Sequence, residues 1–152
     1  MTDRPAISDL QEELIDDFAL FDDWMDRYRY IIQMGDALPA LTAEEMVEDN
    51  LLKGCQSQVW LLRGRSDAGR VQLRGTSDAA IVRGLVALML RVYDDQPAQD
   101  ILDHPPRFIA EIGLDEHLSP TRKNGLASMV SAIMDEARSA LRARGGRRHA
   151  FA

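Results

Sequence analysis

The chain has 152 residues, a formal net charge of −7 and a single cysteine, and together these facts narrow what it can do. One domain is the simplest arrangement at this length, and one cysteine leaves no internal disulfide to form. The negative charge repels phosphate backbones, so we expect no binding to nucleic acid. No apolar stretch reaches the roughly 20 residues of a membrane-spanning helix, and the acidic start lacks the pattern of a signal peptide. We therefore expect a cytoplasmic protein whose thiol stays reduced.

The first forty residues predict two helices. Ser8 and Gln11 match a capping box, and apolar residues at helical spacing then predict a first helix over residues 9–21. A second helix is predicted to begin near Asp23, whose carboxylate suits a helix N-terminus. We expect this helix to end at Gly35, as a glycine at the C′ position.

The segment before the cysteine is rich in acidic residues. The dipeptide Leu38-Pro39 breaks the chain, and Thr42 with Glu45 matches a second capping box that predicts a short helical turn. The carboxylates here suit either a catalytic pair or metal site, or a solvated surface near a helix start. We favour the solvated surface for these residues, which are Glu44, Glu45, Glu48 and Asp49.

The only cysteine, Cys55, follows Gly54 and precedes three polar residues, Gln56, Ser57 and Gln58. Because glycine adopts positive φ readily, we predict a sharp turn that places the thiol at the tip of a loop. The three polar side chains can hydrogen-bond the loop backbone. A free cysteine is usually a buried apolar residue, whereas this polar setting suits a thiol that meets a partner. The residues alone leave both interpretations open.

Two strands are predicted directly after this loop. The apolar run from Val59 to Leu62 is typical of a buried strand, residues 66–69 indicate a turn, and residues 70–74 alternate polar and apolar side chains. These features predict an antiparallel hairpin. Because so small a sheet needs helices on at least one face, we predict a two-layer α+β fold in which the sheet packs against several helices.

A central helix is predicted next, over residues 79–93. Ser77 or Asp78 caps it, and its apolar residues lie almost all round, which is typical of a helix that other elements surround. Two charged residues, Arg83 and Arg91, interrupt this apolar surface. We expect these two arginines to hold the polar rim of the sheet or to face solvent.

Three more helices are predicted in the last third of the chain. A short helix over residues 97–102 has proline in its first turn, and another begins at Pro105-Pro106 and ends near Gly113. The final helix has Ser119 as its predicted N-cap, proline at its first position, and an apolar stripe that extends to Leu141.

We see no internal repeat or domain break, so one domain is predicted over residues 1–144. Residues 145–152 are predicted to form a flexible basic tail. The positive charge of the arginines at this end is favourable at the C-terminus of the last helix. We expect the residues after that helix to be frayed.

Four blocks of sequence stand in order along the chain. They are Tyr28-Arg29-Tyr30-Ile31-Ile32 with Gly35 and Leu38-Pro39; Asn50 with Gly54-Cys55-Gln56-Ser57-Gln58-Val59-Trp60; Ser77-Asp78-Ala79-Ala80-Ile81-Val82-Arg83-Gly84-Leu85; and Leu118-Ser119-Pro120-Thr121-Arg122-Lys123-Asn124-Gly125-Leu126. In this order they closely resemble the SufE family, sulfur-acceptor partners of cysteine desulfurases in iron–sulfur cluster assembly. Leu51 and Leu52 depart from the family pattern, which leaves open how the strand entering the loop pairs.

The resemblance implies a SufE/IscU-like fold and the function of a sulfur carrier. Cys55 would accept persulfide sulfur from a SufS-like, pyridoxal-phosphate-dependent cysteine desulfurase, stimulate that enzyme, and pass the sulfur to a SufB-type cluster scaffold complex. In the free protein Cys55 would lie partly in an apolar pocket and would move outward on the desulfurase. The resemblance also implies that Asp78 and Arg122 lie near the loop of Gly54, Gln56 and Ser57, as interface or switching residues.

Two other functions stay open on the sequence. One is an adaptor that activates a desulfurase by contact alone, with Cys55 merely structural, and the other is a stand-alone one-cysteine thiol enzyme. One cysteine and three histidines without ligand spacing predict no metal site, and the lack of nucleotide-binding or cofactor-lysine motifs predicts no cofactor. The identity of the desulfurase, the final sulfur acceptor and a possible homodimer are not decided by the sequence.

Overall fold

The elements of the fold follow one another in the order helix, helix, strand, strand, helix, strand and four helices. The structure is a computed structural model and describes residues 4–143. Its elements are α1 (Ile7–Ala19), α2 (Trp24–Asp36), β1 (Val59–Arg65), β2 (Arg70–Ser77), α3 (Ala80–Tyr93), β3 (Gln96–Pro97), α4 (Ala98–Asp103), α5 (Phe108–Ile112), α6 (Leu114–His117) and α7 (Pro120–Arg142), with a 3-10 turn at Glu48–Asn50 before β1. The predicted tail, residues 145–152, lies outside the described residues. The predicted extent of the domain, residues 1–144, stays a prediction.

The sheet has three antiparallel strands in the order β1-β2-β3. The β1–β2 hairpin runs in register from the pair Val59 and Ser77 to the pair Arg65 and Val71, so both strands are longer than predicted. Buried and half-buried residues alternate along β2, and its buried face packs on α3 and α7. The predicted two-layer α+β fold is confirmed. The two-residue strand β3 was not predicted, because a strand so short and ending in proline has no sequence pattern.

Helix α3 is the central element, as its apolar pattern predicted. Ten of its fourteen residues are buried, and it contacts α1, α2, α7 and the sheet. Burying each large apolar side chain contributes about 1.5–3 kcal/mol, so this helix organises the core. Its two arginines reach the N-terminal helices. Arg83 donates to Asp36 of α2 and to the backbone oxygen of Ser77, and Arg91 donates to Asp17 of α1. Arg83 therefore touches the end of the sheet, and Arg91 joins α3 to α1.

Two glycines allow α2 and α3 to cross at backbone contact. A Cβ atom added at Gly84 would lie 2.2 Å from the backbone oxygen of Ile31, and one added at Gly35 would lie 2.6 Å from the backbone nitrogen of Gly84. The prediction that Gly35 ends α2 as a C′ residue is wrong, because α2 continues to Asp36. Gly35 is buried at the helix crossing, where no side chain fits.

The predicted capping box at the start of α1 is also wrong. Ala6 is the N-cap residue and makes no side-chain bond, while Gln11 is almost completely buried. The Gln11 amide nitrogen donates to the backbone oxygen of Pro105 at 3.1 Å, and its oxygen accepts from the backbone nitrogen of Phe108 at 3.0 Å. Gln11 thus fastens α1 to the segment that begins α5, and both polar atoms of the buried amide have a partner.

Other predicted helix boundaries are confirmed. Asp23 accepts from the backbone nitrogen of Asp26, Ser119 accepts from that of Arg122, and Gly113 ends α5 with φ +94°. Pro97 precedes α4 as its N-cap residue instead of lying in the first turn. The four-residue helix α6 was not predicted. Within residues 4–143, no helix has the length and apolar character needed to cross a membrane.

Candidate functional site

The loop that carries Cys55 is the turn of a short hairpin on the outer edge of the sheet. Leu51 forms an antiparallel bridge with Trp60, and the backbone nitrogen of Leu52 donates to the backbone oxygen of Val59 at 2.8 Å. Residues 53–58 therefore connect two paired segments. This answers the question that the sequence left open, since the chain entering the loop pairs with β1 itself. The thiol therefore lies in a six-residue loop whose two ends, Leu52 and Val59, are hydrogen-bonded to each other.

Gly54 makes the turn that the sequence predicted. Its φ is +86°, in the left-handed region that glycine adopts without strain. A Cβ atom at this position would also lie 2.9 Å from the hydroxyl oxygen of Ser128 on α7. Two constraints therefore favour glycine at position 54. The backbone has positive φ, and the loop packs too closely on α7 to leave room for a side chain. The sequence analysis did not identify Ser128. This residue lies about seventy positions after Cys55, and nothing in the sequence of its helix marks it as a site residue.

The thiol of Cys55 is half-buried against α7. It packs on the core, and its Sγ atom lies 3.8 Å from the backbone oxygen of Gly125, toward which it donates a weak hydrogen bond. Gly125 is buried in α7, and a Cβ atom added there would lie 3.8 Å from the sulfur, an ordinary contact. A crevice of about 20 Å³ opens here, room for one atom of the size of a water molecule. Its lining comprises Cys55, Gln56, Ser57, Val82, Thr121, Arg122 and Gly125.

Asp78 holds the far end of the loop. Its carboxylate oxygen accepts from the backbone nitrogen of Gln58 at 3.0 Å, and its own backbone nitrogen donates to the backbone oxygen of Gln58 at 3.3 Å. The hydroxyl of Ser77 donates to the same Gln58 oxygen at 2.7 Å. The prediction that Ser77 or Asp78 caps α3 is wrong, because the N-cap residue is Ala79 and no side chain caps it. Both residues instead bind the cysteine loop at Gln58. The family resemblance implied this position near the loop for Asp78.

Arg122 stands on the other side of the thiol, in the first turn of α7. It is exposed and lines the crevice, and its backbone nitrogen is bound by Ser119. Gln56 is exposed and Ser57 is half-buried, and both line the crevice as well. Within residues 4–143, the side chains of Gln56, Ser57 and Gln58 make no hydrogen bond to the loop backbone, contrary to expectation. The crevice thus has Gln56, Ser57 and Arg122 beside Cys55. Gly54 precedes Cys55 in the loop, and Asp78 binds the loop farther along, at Gln58.

Burial governs the acidity of this thiol. It raises the pKa of Cys55 above that of an exposed cysteine, and the hydroxyl of Ser128 opposes the rise in part. The folded state thus holds the thiol proton more tightly than the unfolded chain does. This contribution to folding stability is present at low pH and is lost as the pH rises through the pKa of the folded protein. Leaving the crevice would relieve the penalty on the thiolate, so ionisation favours the outward position of the sulfur.

We predict that the free protein reacts slowly with a small disulfide reagent at neutral pH. The second-order rate should rise with pH along a titration curve whose midpoint lies above that of the same chain unfolded in urea, because only the thiolate attacks. Ser128→Ala should move the midpoint to still higher pH, since it removes the hydroxyl that opposes the shift. Ser131→Ala, at an exposed position of the same helix, is the matched control and should leave the midpoint unchanged. A midpoint equal to that of the unfolded chain would contradict the buried position of the thiol.

Comparison with known proteins identifies the family. A family model described as "SufE: Fe-S metabolism associated domain" matches residues 12–137 of this chain. The chain belongs to the SufE family. An uncharacterized SufE-like protein of Rhizobium etli is 48% identical over 132 residues, which cover 84% of this chain and 88% of that protein. The resemblance stated from four blocks of sequence is therefore confirmed.

The fold is shared with a more distant protein. The solution structure of a hypothetical protein from Thermus thermophilus superimposes with a TM-score of 0.71, covering 88% of this chain and 96% of that chain at 20% sequence identity. At this identity the likeness concerns the fold alone. Membership of the SufE family places this chain in iron–sulfur metabolism, with an accessory role beside assembly partners such as a desulfurase.

Proposed function

We propose that this SufE-family protein is a persulfide carrier. Cys55 accepts sulfur from a SufS-like cysteine desulfurase, and in doing so it stimulates the turnover of that enzyme. The protein then passes the sulfur to a SufB-type scaffold complex in the cytoplasm. The observation that carries the proposal is the position of the chain's only cysteine, at the tip of a glycine turn and against a crevice one atom wide.

The transfer is a thiol–persulfide exchange. The Cys55 thiolate attacks the outer sulfur of the persulfide on the desulfurase, and a new S–S bond forms at Cys55. The old S–S bond breaks, and its electron pair leaves on the cysteine thiolate of the desulfurase. One persulfide is consumed and one is formed, so no external oxidant or reductant is needed. The pyridoxal phosphate that generates the first persulfide belongs to the desulfurase.

The loop supplies the movement that such an attack requires. The sulfur is held by a long contact to Gly125 and by packing, while the stronger hydrogen bonds lie at the two ends of the loop. Gly54 serves as the pivot, because its φ can change without a side-chain penalty. Asp78 keeps the far end fixed while the tip moves. The exposed guanidinium of Arg122 is suited to meet the partner beside the departing sulfur.

A transfer assay with intact-mass detection tests the proposal. The protein is incubated with a cysteine desulfurase and free cysteine, and its mass is measured without reduction. We expect a gain of one sulfur atom, which peptide mapping places on Cys55 and which a reductant removes. Omitting free cysteine should abolish the gain. An unchanged mass under conditions in which the desulfurase turns over would overturn the carrier function.

A further inference from the structure

Two apolar side chains stand exposed on the segment that leads into the cysteine loop. Met46 is 38% exposed and Val47 is 41% exposed. Two other large apolar residues in the described part of the chain are exposed, Leu20 after α1 and Met25 in the first turn of α2. Exposing adjacent apolar side chains to water is unfavourable, and the free energy falls when a partner protein covers them.

The backbone under these two residues is fixed. Thr42 and Glu45 bond each other reciprocally, backbone nitrogen to side-chain oxygen in both directions, at 2.9 and 3.3 Å. The Asn50 amide donates to the backbone oxygen of Glu45 at 2.8 Å, and the Glu45 carboxylate pairs with Arg74 of β2. Met46 is therefore presented on a segment fastened to the sheet. A surface ordered before binding loses less conformational entropy when a partner docks.

The surroundings of the apolar pair are negatively charged. Glu44, Glu48 and Asp49 are exposed, and none forms an ion pair with another residue between 4 and 143. Glu45 is the one acidic residue of this segment whose charge is compensated, by Arg74. We name residues 44–49 the approach patch. A partner that covers it needs an apolar depression with lysine or arginine around its rim.

The approach patch lies close to the reactive sulfur. Met46 and Val47 precede Cys55 by nine and eight residues, which span at most about 30 Å even when fully extended. An interface of standard size buries about 800 Å² on each partner, a disc roughly 30 Å across. One partner surface of this size is therefore wide enough to cover the patch and reach Cys55 as well. A second copy of this chain is a poor occupant, since its own patch carries the same negative charges.

We propose that the approach patch is the docking surface for the sulfur donor, through an apolar depression rimmed by basic residues on that protein. The inference rests on the proposed function, because it assigns the desulfurase as the occupant. Met46 and Val47 supply the apolar contact, while the carboxylates of Glu44 and Glu48 steer the approach and set its orientation. Docking there leaves the cysteine loop free to move toward the donor's persulfide.

Binding to the desulfurase without free cysteine tests the proposal, because no chemistry then takes place. Replacing the apolar pair (Met46→Ser with Val47→Ser) should raise the Kd about tenfold or more. Leu20→Ser with Met25→Ser is the matched control and should leave the Kd unchanged. Reversing two charges (Glu44→Lys with Glu48→Lys) should weaken binding and flatten its dependence on salt, whereas Asp22→Lys with Asp67→Lys, of equal charge change, should do neither.

The outcomes separate this inference from the proposed function. If the wild-type protein gains sulfur on Cys55 while the patch variants bind and accept sulfur as the controls do, the docking surface is wrong and the carrier function stands. If the patch variants bind weakly but reach full sulfur loading at saturating desulfurase, both hold. If sedimentation shows a wild-type dimer that Met46→Ser with Val47→Ser dissociates, the patch joins two copies and the inference fails. Thermal denaturation establishes that each variant is folded.

Discussion

Replacing Cys55 by serine should abolish sulfur loading and reduce stimulation of the desulfurase to the rate of the enzyme alone. A serine hydroxyl has a pKa far above that of a thiol and forms no persulfide, so the transfer loses its acceptor atom. Binding should persist, because the residues around the loop are unchanged and serine is close to cysteine in size. The change in the free energy of unfolding should stay within about 1 kcal/mol, since the site is half-buried.

The same variant distinguishes the three functions that the sequence left open. Lost stimulation with retained binding supports the carrier. Retained stimulation would instead support an adaptor that acts by contact, and turnover of a small thiol substrate by the wild-type protein alone would support an enzyme. Moving the thiol provides the control: Cys55→Ser with Ala68→Cys places a single exposed cysteine on the β1–β2 turn. This variant should remain inactive, because the patch and the loop no longer present the sulfur to the donor.

The elements predicted well from sequence are those whose signals are local. Ser119 followed by Pro120 marked the start of α7, because an N-cap hydroxyl and a proline at the first position both act within one turn. Gly54 marked the loop tip for a similar reason, since positive φ is a property of the residue itself. The alternating residues of β2 predicted its buried face. In each case the physical cause lies within a few residues of the signal.

The predictions that failed depended on distant contacts. Gln11 matched a capping box, yet its amide is used by Pro105 and Phe108 of another segment. Gly35 matched a helix end, yet the same lack of a side chain serves a helix crossing with Gly84. A glycine or a short polar residue has several uses, and only the partner in space decides among them.

The same limit applied to the candidate site. Cys55 and its neighbours in sequence were identified correctly as one loop. The groups that shield the sulfur lie on α7, where Gly125 supplies a carbonyl oxygen and Ser128 supplies a hydroxyl. Gly125 stood in one of the four family blocks without a stated role, and Ser128 stood in none. Their functions follow from the packing of α7 against the loop, which periodicity alone does not give.

Gly84→Ala should destabilise the fold more than any other glycine-to-alanine change in the helices between residues 4 and 143. The added Cβ would lie 2.2 Å from the backbone oxygen of Ile31 and 2.4 Å from its Cγ2 atom, so α2 and α3 must move apart. Alanine improves helix propensity by about 1 kcal/mol, while overpacking against backbone costs about 3 kcal/mol or more. We expect a net loss of at least about 2 kcal/mol and a Tm lower by roughly 4–12 °C.

Gly125→Ala is the matched control, because it makes the same exchange inside α7 at a buried position. Its Cβ would lie 3.8 Å from the Cys55 sulfur, an ordinary contact, so the gain in helix propensity should keep stability unchanged or raise it by up to about 1 kcal/mol. Urea denaturation followed by circular dichroism measures both variants. Equal stability of the two would mean that α2 and α3 do not cross at backbone contact, and the tight packing of these two helices would have to be revised.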